Sequence, residues 1–427
     1  MRTVLAYPGN MAHAQHSARA LAEQGALEAF VTTFVFREEG RLAAMLAQMP
    51  AIAQRLEPDL RRRMIDQVPA ELVHSYPLWE VVRSTVQKSG AGPVLTDLAW
   101  DRMSHRFDRL VAAHYVPRTQ AIQGFEYTAL AAFTSAKRAG VARILHLPSL
   151  DSCRFEEIQR REREQWPELR SAHDAYFDRK FERRYARRCA EIALADVIIA
   201  NSTLTAKSHI AAGADPAKTF VVSLGAPPPV AESEVQEGGR KRPLSVLWAG
   251  PFSLRKGAHY LLQAWQNFKP GKAATLDVYG QLVLPDRLHA SQTEGIVCHG
   301  SVPQPDLFKA YLTADVLVFP TVSDGFGMVI AEAMAHGLPV ITTDQAGAAD
   351  LVNPENGIVV PVADPKALAD ALRWCLDNRD RLQAMRFAAL ETVRRHQWVD
   401  FRRDLIAALE TGLTRAGYQP AFQPGAG

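Results

Sequence analysis

The feature that most constrains the fold is a repeated exchange of short apolar runs and helical patterns along the whole chain. Most of the runs are apolar without alternation, which is typical of parallel strands covered on both faces. In the first half they are TVLAY (3–7), LEAFVTTFVF (27–36), RILHL (143–147), DVIIA (196–200) and TFVVSL (219–224). In the second half they are LSVLWA (244–249), TLDVYG (275–280), GIVCH (295–299), DVLVFP (315–320), PVITT (339–343) and GIVVPV (357–362). Strands that alternate with helices predict an α/β architecture.

The chain is too long for one ordinary core, because its 427 residues exceed the usual domain of about 100–200 residues. Residues 226–243 (APPPVAESEVQEGGRKRP) are rich in Pro, Gly and charge, which indicates a linker. We therefore predict two doubly wound parallel-sheet domains, 1–228 and 242–397, that face a cleft. Ligands of such sheets bind beyond the carboxyl ends of the strands. We expect an amphipathic helix at about 398–427 to pack back on the first domain.

Composition excludes several other classes of protein. A net charge of +3, with 47% apolar and 22% charged residues, is ordinary for a soluble enzyme and does not favour nucleic acid as a partner. Cys153, Cys189, Cys298 and Cys375 form no metal-type spacing, so we expect reduced core thiols of a cytoplasmic protein. The start MRTVLAYPGN lacks the pattern of a signal peptide, and no run reaches the roughly 18 apolar residues of a membrane span.

Two stretches of the first half are helical in pattern but carry no clear chemistry. Residues 37–117 are mostly helical and difficult to divide further. Residues 154–194 form a long, charged helical region that Pro167 is expected to break. Its arginine-rich face either contacts anionic lipid at the inner membrane face or is a solvated face with internal ion pairs, and the second interpretation is favoured.

The segment SDGFGMVIAEAMAHGLPVI (323–341) places a carboxylate in an otherwise apolar helix. A strand runs into a glycine turn, and a helix is predicted from about Gly327 to Gly337. Free amides and a partial positive charge at a helix start suit phosphate. Glu332 lies one turn beyond Met328, where its two oxygens could accept from neighbouring ribose hydroxyls. The alternative is a structural Glu332 held by a core partner such as His336; these two alone make a poor metal site.

A second segment, LWAGPFSLRKGAHYLLQAW (247–265), places two cations in a loop at the end of a strand. The strand ends at Gly250, and a helix begins after Gly257. Arg255 and Lys256 could neutralise a diphosphate, since opposite charges 4 Å apart gain about 4 kcal/mol at an effective dielectric of 20. The alternative is an exposed pair without a role. The chain has no D-x-D pair for a metal-bound diphosphate, so we expect these cations and the helix start to replace a metal ion.

Together these segments resemble the donor half of glycosyltransferase family 4, whose GT-B fold consists of two facing Rossmann-like domains. The family pattern of a carboxylate, seven residues and a glutamate is matched by Asp324 and Glu332, followed by EAMAHGLPVI. Gly250 stands six residues before Lys256-Gly257, as in the family's G-R-x-x-x-x-K-G element. AGAADLV and NGIVVP (346–360) resemble the usual continuation. The resemblance covers about residues 195–400 and is loose before that.

The resemblance implies a role for each matching residue. Asp324 would lie against the donor sugar, Arg255 and Lys256 would hold the diphosphate, and His146 of ILHLPS (144–149) would lie beside the sugar. Taken alone, a histidine in a strand is more often a hydrogen-bonded core residue. The residues expected to bind the donor are Glu332, Gly325, Phe326, Gly327, Met328, Val329, Val302 near the base, and Gly9 and Asn10 of the glycine loop PGN.

The sequence departs from the family pattern at three positions. Asp324 replaces a glutamate and is one methylene shorter. Pro251 stands where many members have an arginine, so Arg255 is expected to substitute for it. Asn10 replaces the second glycine of the glycine loop, on the acceptor side.

The resemblance implies a retaining glycosyltransferase that moves a sugar from a nucleoside-diphosphate sugar to a hydroxyl of a glycan, lipid-linked or small-molecule acceptor. It needs no metal or other cofactor, and polysaccharide, glycolipid or other glycoconjugate biosynthesis is the expected setting. Three alternatives stay open: a nucleotide-sugar epimerase, a phosphorylase on the same fold, and a binding protein that has lost transfer. A phosphorylase would need a Schiff-base lysine, which we cannot place in the sequence.

Overall fold

The structure is a computed structural model of the chain. It describes residues 1–427 apart from 50–53, 55, 58, 59, 62, 168, 169, 171, 236–241, 285–293, 421 and 423–427. Two parallel sheets, each with helices between its strands, form two domains, so the predicted α/β class is confirmed.

The N-terminal sheet has seven described strands in the order β3-β2-β1-β4-β5-β6-β7. The strands are β1 (Thr3–Ala6), β2 (Leu27–Thr32), β3 (Val73–Ser75), β4 (Ala121–Phe125), β5 (Ala142–Leu147), β6 (Val197–Ala200) and β7 (Thr219–Val221). The helices of this half are α1 (Ala12–Glu23), α2 (Arg41–Ala47), α3 (Leu78–Lys88), α4 (Gly92–His114), α5 (Leu130–Ala139), α6 (Ser152–Gln165), α7 (Asp174–Leu194) and α8 (Thr203–Ala211). Strands β3 and β4 are absent from the sequence prediction, and the other five match its apolar runs.

The C-terminal sheet has six described strands in the order β10-β9-β8-β11-β12-β13. They match the six predicted runs and are β8 (Leu244–Ala249), β9 (Ala274–Tyr279), β10 (Ile296–Gly300), β11 (Val316–Phe319), β12 (Val340–Thr343) and β13 (Gly357–Val360). The helices are α9 (Ala258–Phe268), α10 (Gln304–Thr313), α11 (Met328–Ala335), α12 (Pro365–Asp377), α13 (Arg379–Arg394) and α14 (Trp398–Arg415).

The last helix, α14, lies on the N-terminal domain. Trp398 stacks on His16 of α1, with ring centroids 4.1 Å apart, and Arg402 Nε lies 2.9 Å from Glu23 Oε2. Gly225, just after β7, packs so closely on Trp398 that a Cβ there would lie 2.5 Å from the Trp398 backbone. The end of the chain therefore returns from the second domain to the first.

The segment between the domains is partly packed. Val230 N donates to Ala335 O at 2.9 Å, and Val235 is buried. Residues 236–241 of the predicted linker lie outside the described part of the chain. One continuous apolar core includes Leu5 of the first sheet, Val340 of the second and Leu405 of α14, so the two domains are packed directly on each other.

Two further predictions about the first half can be compared with the structure. The charged region is divided as expected, because α6 ends at Gln165 and α7 begins at Asp174. The prediction of four core thiols is wrong, because Cys153 and Cys189 are exposed and only Cys375 is buried. Both exposed cysteines lie on helices that face solvent, which the spacing of cysteines alone does not reveal. In the described ranges, no helix has the length and apolar character needed to cross a membrane.

Candidate active site

A cavity of about 590 Å³ lies between the two domains and is lined from both sides. The C-terminal domain contributes the ends of β8 and β11 and the start of α11, with Lys256, Asp324 and Met328 among the lining residues. The N-terminal domain contributes residues that include His13 and Asn201. The cavity therefore lies beyond the carboxyl ends of the parallel strands, where a doubly wound sheet binds its ligands. We call it the interdomain cavity.

Glycine shapes the two C-terminal loops of this cavity. Gly257 precedes α9 with φ +78°, and a Cβ there would lie 1.9 Å from Pro320 O, so only glycine fits between the two loops. Gly327 precedes α11 with φ +91° and packs against the Phe319 ring. Both left-handed conformations suit glycine because it has no side chain to strain them. The predicted turns and helix starts after Gly257 and at Gly327 are present.

Lys256 and Asp324 form a partly buried ion pair at the floor of the interdomain cavity, with side chains 12% and 15% exposed. Burial lowers the pKa of Lys256, and the neighbouring Arg255 charge adds to this, while Asp324 opposes it. The ammonium also lies 4.9 Å from the centroid of the Phe319 ring. The pair brings one cation and one carboxylate to the same point of the cavity, although 68 residues separate them in sequence.

Arg255 has a different position from its neighbour. Its Nη1 donates to Ser323 O at 3.2 Å, and Val322 N donates to Arg255 O at 3.0 Å. Arg255 is half-buried and does not line the interdomain cavity, whereas exposed Pro251 does. The structure therefore has Lys256 at the cavity and Arg255 bracing the loop that carries Asp324.

The start of α11 faces the interdomain cavity through Phe326, Gly327, Met328 and Val329. Because α11 begins at Met328, the amides of its first turn lack partners within the helix. Gly325, just before them, lies on the N-terminal domain: its carbonyl accepts from Ser202 Oγ at 2.7 Å and from Thr205 Oγ1 at 3.2 Å. The turn that presents the amides is thus fixed by the domain interface.

Glu332 lies one turn farther along α11, half-buried and without an ion pair to any residue that the structure describes. Burial raises the pKa of its carboxyl, and the buried Tyr311 hydroxyl beside it partly offsets this. His336 Nδ1 lies 2.7 Å from the backbone oxygen of Glu332, so this histidine contacts the main chain rather than the carboxylate. Glu332 is not among the residues that line the interdomain cavity, and its assignment to the ribose stays a prediction.

Val302 lies in the loop between β10 and α10, immediately before Pro303. It is half-buried and outside the lining of the interdomain cavity. The α10 helix that follows it carries Tyr311, the neighbour of Glu332. Val302 and Glu332 are thus on adjoining elements, beyond the diphosphate-facing part of the cavity, and the assignment of Val302 to the base stays a prediction.

Gly9 and Asn10 line a second cavity, of about 500 Å³, which adjoins the first and shares Met11, Pro148 and Ser149 with it. We call it the acceptor-side cavity. Asn10 Nδ2 donates to Met64 O at 3.0 Å, and Asn10 Oδ1 accepts from Gln15 at 2.6 Å. Neither residue lines the interdomain cavity, so their predicted contact with the donor is untested.

His146 lies inside the N-terminal domain. It is 4% exposed, its Nε2 lies 2.8 Å from Gln123 Oε1, and its ring stacks on Phe125. Burial lowers its pKa to about 3, with a small contribution from His13. This is the core-histidine alternative of the sequence analysis, and His146 lines neither cavity described above.

Sequence reasoning missed several titratable residues that line these cavities, among them His13 and Glu126. His13 lines the interdomain cavity; burial lowers its pKa to about 4, and its Nε2 has no hydrogen-bond partner among the described residues. Glu126 lines the acceptor-side cavity, where burial raises its pKa and Arg188 lies 3.3 Å from its Oε1. The one signal for His13 was its position as the second residue of the helix that follows the glycine loop.

No group of three metal-ligating side chains comes together anywhere in the described ranges. Lys256 lines the interdomain cavity, and the start of α11 adds a partial positive charge there. Such an arrangement suits an anionic group such as a diphosphate.

Two facing Rossmann-like domains with this cavity between them define the GT-B class of glycosyltransferase folds. Solved structures agree: Anabaena HepE in complex with UDP superimposes with a TM-score of 0.60 at 17% identity, covering 96% of this chain and 100% of that one. Sucrose-phosphate synthase from Thermosynechococcus elongatus superimposes with a TM-score of 0.63 at 18% identity, covering 97% and 100%. The predicted GT-B fold is confirmed.

The family follows from sequence comparison of the second domain. Residues 243–378 match the model of the family Glycosyl transferases group 1, which confirms the predicted resemblance of the donor half. Over these residues the C-terminal domain is similar to that family.

Curated relatives agree over similar ranges. Phosphatidyl-myo-inositol mannosyltransferase of Mycobacterium leprae is 34% identical over 40% of this chain and 47% of its own length. The capsular polysaccharide biosynthesis glycosyltransferase CapM of Staphylococcus aureus is 36% identical over 29% and 34%, and sucrose-phosphate synthase 4 of Arabidopsis thaliana is 30% identical over 31% and 12%. The chain thus aligns with less than half the length of each of these relatives.

Proposed function

We propose that the protein is a retaining, metal-independent glycosyltransferase that transfers a sugar from a nucleoside-diphosphate sugar to a hydroxyl acceptor. The observation that carries this proposal is the interdomain cavity, in which Lys256 and the first turn of α11 face the N-terminal domain. The relatives support it, since their names include a mannosyltransferase and a capsular polysaccharide glycosyltransferase. Glycan or glycolipid assembly is accordingly the proposed setting.

In this proposal the donor lies along α11. The diphosphate would accept from the first-turn amides and from Lys256, with the loop braced by Arg255. Glu332 would accept from the ribose hydroxyls, and Asp324 would lie next to the sugar. Because Lys256 already pairs with Asp324, a bound diphosphate would share the ammonium with that carboxylate.

The proposed reaction balances without a protein nucleophile. The bond between the sugar C1 and the leaving phosphate oxygen breaks with its electron pair on the phosphate. The acceptor hydroxyl oxygen then bonds to C1 on the same face, and its proton passes to the leaving phosphate. Lys256 and the α11 amides would stabilise the charge that develops on this phosphate, which is where positioned donors act most strongly.

A cytoplasmic setting fits the four free thiols of the described chain, two of them exposed. The acceptor is proposed to enter from the acceptor-side cavity, where Glu126 lies near the shared wall of the two cavities. Glu126 is partly neutralised by Arg188 and lies at 3.5 Å from Ser149 Oγ.

The test is an incubation with uridine, guanosine and adenosine diphosphate sugars and an acceptor panel, followed by assay of nucleoside diphosphate and of the product anomer. Acceptor-dependent release with the donor's anomeric configuration supports the proposal. Release with inversion contradicts retention, and donor binding without acceptor-dependent release indicates a binding protein. Added chelator should leave the rate unchanged if no metal takes part.

A further inference from the structure

A groove of about 980 Å³ lies on the N-terminal domain between α4 and α7. Five arginines that line it have no ion pair with any described residue: Arg102, Arg106 and Arg109 on α4, and Arg179 and Arg183 on α7. All five are exposed. We call this feature the arginine groove.

The acids near the groove are already used by other cations. Lys180 and Arg184 of α7 lie within 2.6–2.8 Å of Asp97 and Asp101 of α4. Arg187 pairs with buried Asp108 at 2.5 Å. These pairs hold α4 against α7 and neutralise the groove residues Lys180, Arg184 and Arg187. The other five arginines of the groove have no such partner among the described residues, so they give the groove a net positive charge.

The spacing of these arginines is unfavourable in the free protein. Arg102 and Arg106 are four residues apart on α4, as are Arg179 and Arg183 on α7, and like charges at this spacing repel. A concave surface lined by one sign of charge concentrates its potential on a ligand. The solvated face with internal ion pairs that was favoured for residues 154–194 accounts for Lys180 and Arg184, whereas Arg179 and Arg183 have no described ion pair.

The arginine groove adjoins the candidate active site at Tyr127. This residue lines both the groove and the acceptor-side cavity, which in turn shares three residues with the interdomain cavity. Its ring stacks on Trp100, with centroids 4.8 Å apart and planes 12° apart. A ligand in the groove can thus reach the acceptor-side cavity along an aromatic wall.

Tyr127 is held at this junction in a strained conformation. Its φ is +76°, which is rare for a bulky residue. Its hydroxyl donates to Asp101 Oδ1 at 2.6 Å, its amide donates to Glu191 Oε2 at 2.5 Å, and its carbonyl accepts from Arg187 at 2.9 Å. Strain that surrounding contacts maintain is concentrated at functional sites. The contacts that fix Tyr127 come from the same two helices that form the groove.

We propose that the arginine groove binds the anionic part of the acceptor, so that several phosphate or carboxylate groups lie against its arginines while the reacting hydroxyl lies in the acceptor-side cavity. This inference rests on the proposed function, because it names the acceptor class of the same site. Arginine suits this chemistry, since its planar fork matches phosphate and carboxylate oxygens. The concave shape, with Leu98 and Leu130 as its apolar lining, favours a discrete polyanion over a flat bilayer.

The test measures binding of inorganic tripolyphosphate by calorimetry to the groove variant Arg102→Gln/Arg106→Gln/Arg109→Gln. All proteins carry Lys256→Ala/Asp324→Asn, which weakens binding of the probe at the proposed diphosphate site without leaving Asp324 as an unpaired charge. The matched control is Arg118→Gln/Arg138→Gln/Arg381→Gln, which removes the same charge from exposed arginines outside the groove that have no described ion pair. Circular dichroism verifies that each variant is folded.

The groove variant should bind tripolyphosphate at least about tenfold more weakly than the parent, which corresponds to about 1.4 kcal/mol, and the control should match the parent. Equal affinities of the groove variant and the parent, or no binding to the parent, would overturn the inference. Flotation with equimolar phosphatidylglycerol–phosphatidylcholine vesicles separates the two sources of phosphate. Groove-dependent vesicle binding without groove-dependent tripolyphosphate binding would overturn it in favour of a membrane surface.

The proposed function is measured separately, through nucleoside diphosphate binding to proteins with an intact Lys256. Groove substitutions should leave that binding unchanged. If no nucleoside diphosphate binds while tripolyphosphate still depends on the groove, the proposed function fails and the anion site remains. Once transfer is detected, the groove variant should raise KM for an anionic acceptor and not for its neutral analogue.

Discussion

Replacement of Glu332 by glutamine should stabilise the free protein and weaken donor binding at the same time. The substitution keeps the shape of the side chain and removes its charge. In the structure the carboxylate is half-buried without a described cation partner, and burial raises its pKa. A natural residue that is unfavourable for folding is expected where a ligand supplies the missing partners.

The magnitudes follow from this environment. A buried polar group that lacks a partner costs about 1–3 kcal/mol, and the Tyr311 hydroxyl offsets only part of the cost of burying the Glu332 carboxylate, so a gain of about 1 kcal/mol in the free energy of unfolding is expected for Glu332→Gln near neutral pH. Hydrogen bonds to a charged group contribute about 1.5–3 kcal/mol, so loss of the carboxylate should weaken nucleoside diphosphate binding about tenfold to a hundredfold.

The stability difference should depend on pH. Because the folded-state pKa of Glu332 is raised, the protonated carboxyl is the form that favours folding. The wild type is thus penalised above that pKa, and the penalty disappears as pH falls to the ordinary range of a glutamate. The gain of the variant should be largest near neutral pH and should vanish in acid.

Guanidinium unfolding across this pH range and calorimetry with nucleoside diphosphates provide the measurements. Glu410→Gln, an exposed carboxylate on α14, is the matched control and should change neither quantity. A loss of stability in Glu332→Gln would mean that the carboxylate has an internal partner and a structural role. Unchanged nucleotide affinity would refute its assignment to the ribose.

Three further predictions concern other contacts. Lys256→Met should lower the free energy of unfolding by about 3–5 kcal/mol because it leaves Asp324 unpaired. The double variant Lys256→Met/Asp324→Asn should recover part of this lost stability. Additive effects of the two substitutions would contradict the pairing. Gly325→Ala should cost about 1–3 kcal/mol and expand the protein in solution scattering, because its Cβ would lie 2.4 Å from Pro148 O across the domain interface; an unchanged radius would contradict this. Glu191→Ala should lower the free energy of unfolding by about 3–5 kcal/mol, because buried Glu191 accepts from the amides of Tyr127, Ala129 and Leu130. The control Glu182→Ala, at an exposed position on the same helix, should leave the stability nearly unchanged. Equal losses of stability in the two variants would refute the capping role of Glu191.

The donor side of the site could be predicted because each of its parts is contiguous in sequence. A strand, a glycine turn and a helix start follow one another within 323–341, and again within 247–265. Such local units fix the direction of the backbone amides regardless of the rest of the fold. The exact role of Arg255 was not predictable, because its contact with Ser323 O depends on how two loops from different strands meet.

The acceptor side could not be predicted in the same way. His13, Glu126 and Arg188 come together from separate elements and carry no common pattern. Strand β4 was missed for a related reason: Gln123 and Gly124 interrupt its apolar run, and the buried Gln123 Oε1 lies 2.8 Å from Nε2 of His146 on the neighbouring strand. A buried polar residue whose hydrogen-bond partner is distant in sequence cannot be told apart from a loop residue by the sequence alone.

The return of the chain to its first domain has a mechanical consequence. The backbone passes between the domains twice, and the two passages touch: Ala226 forms a bridge with Gln397, and its amide donates to His396 O at 2.7 Å. Two adjacent connections restrict the relative movement of the domains more than a single tether would. We therefore expect any opening of the two halves to be centred on this contact.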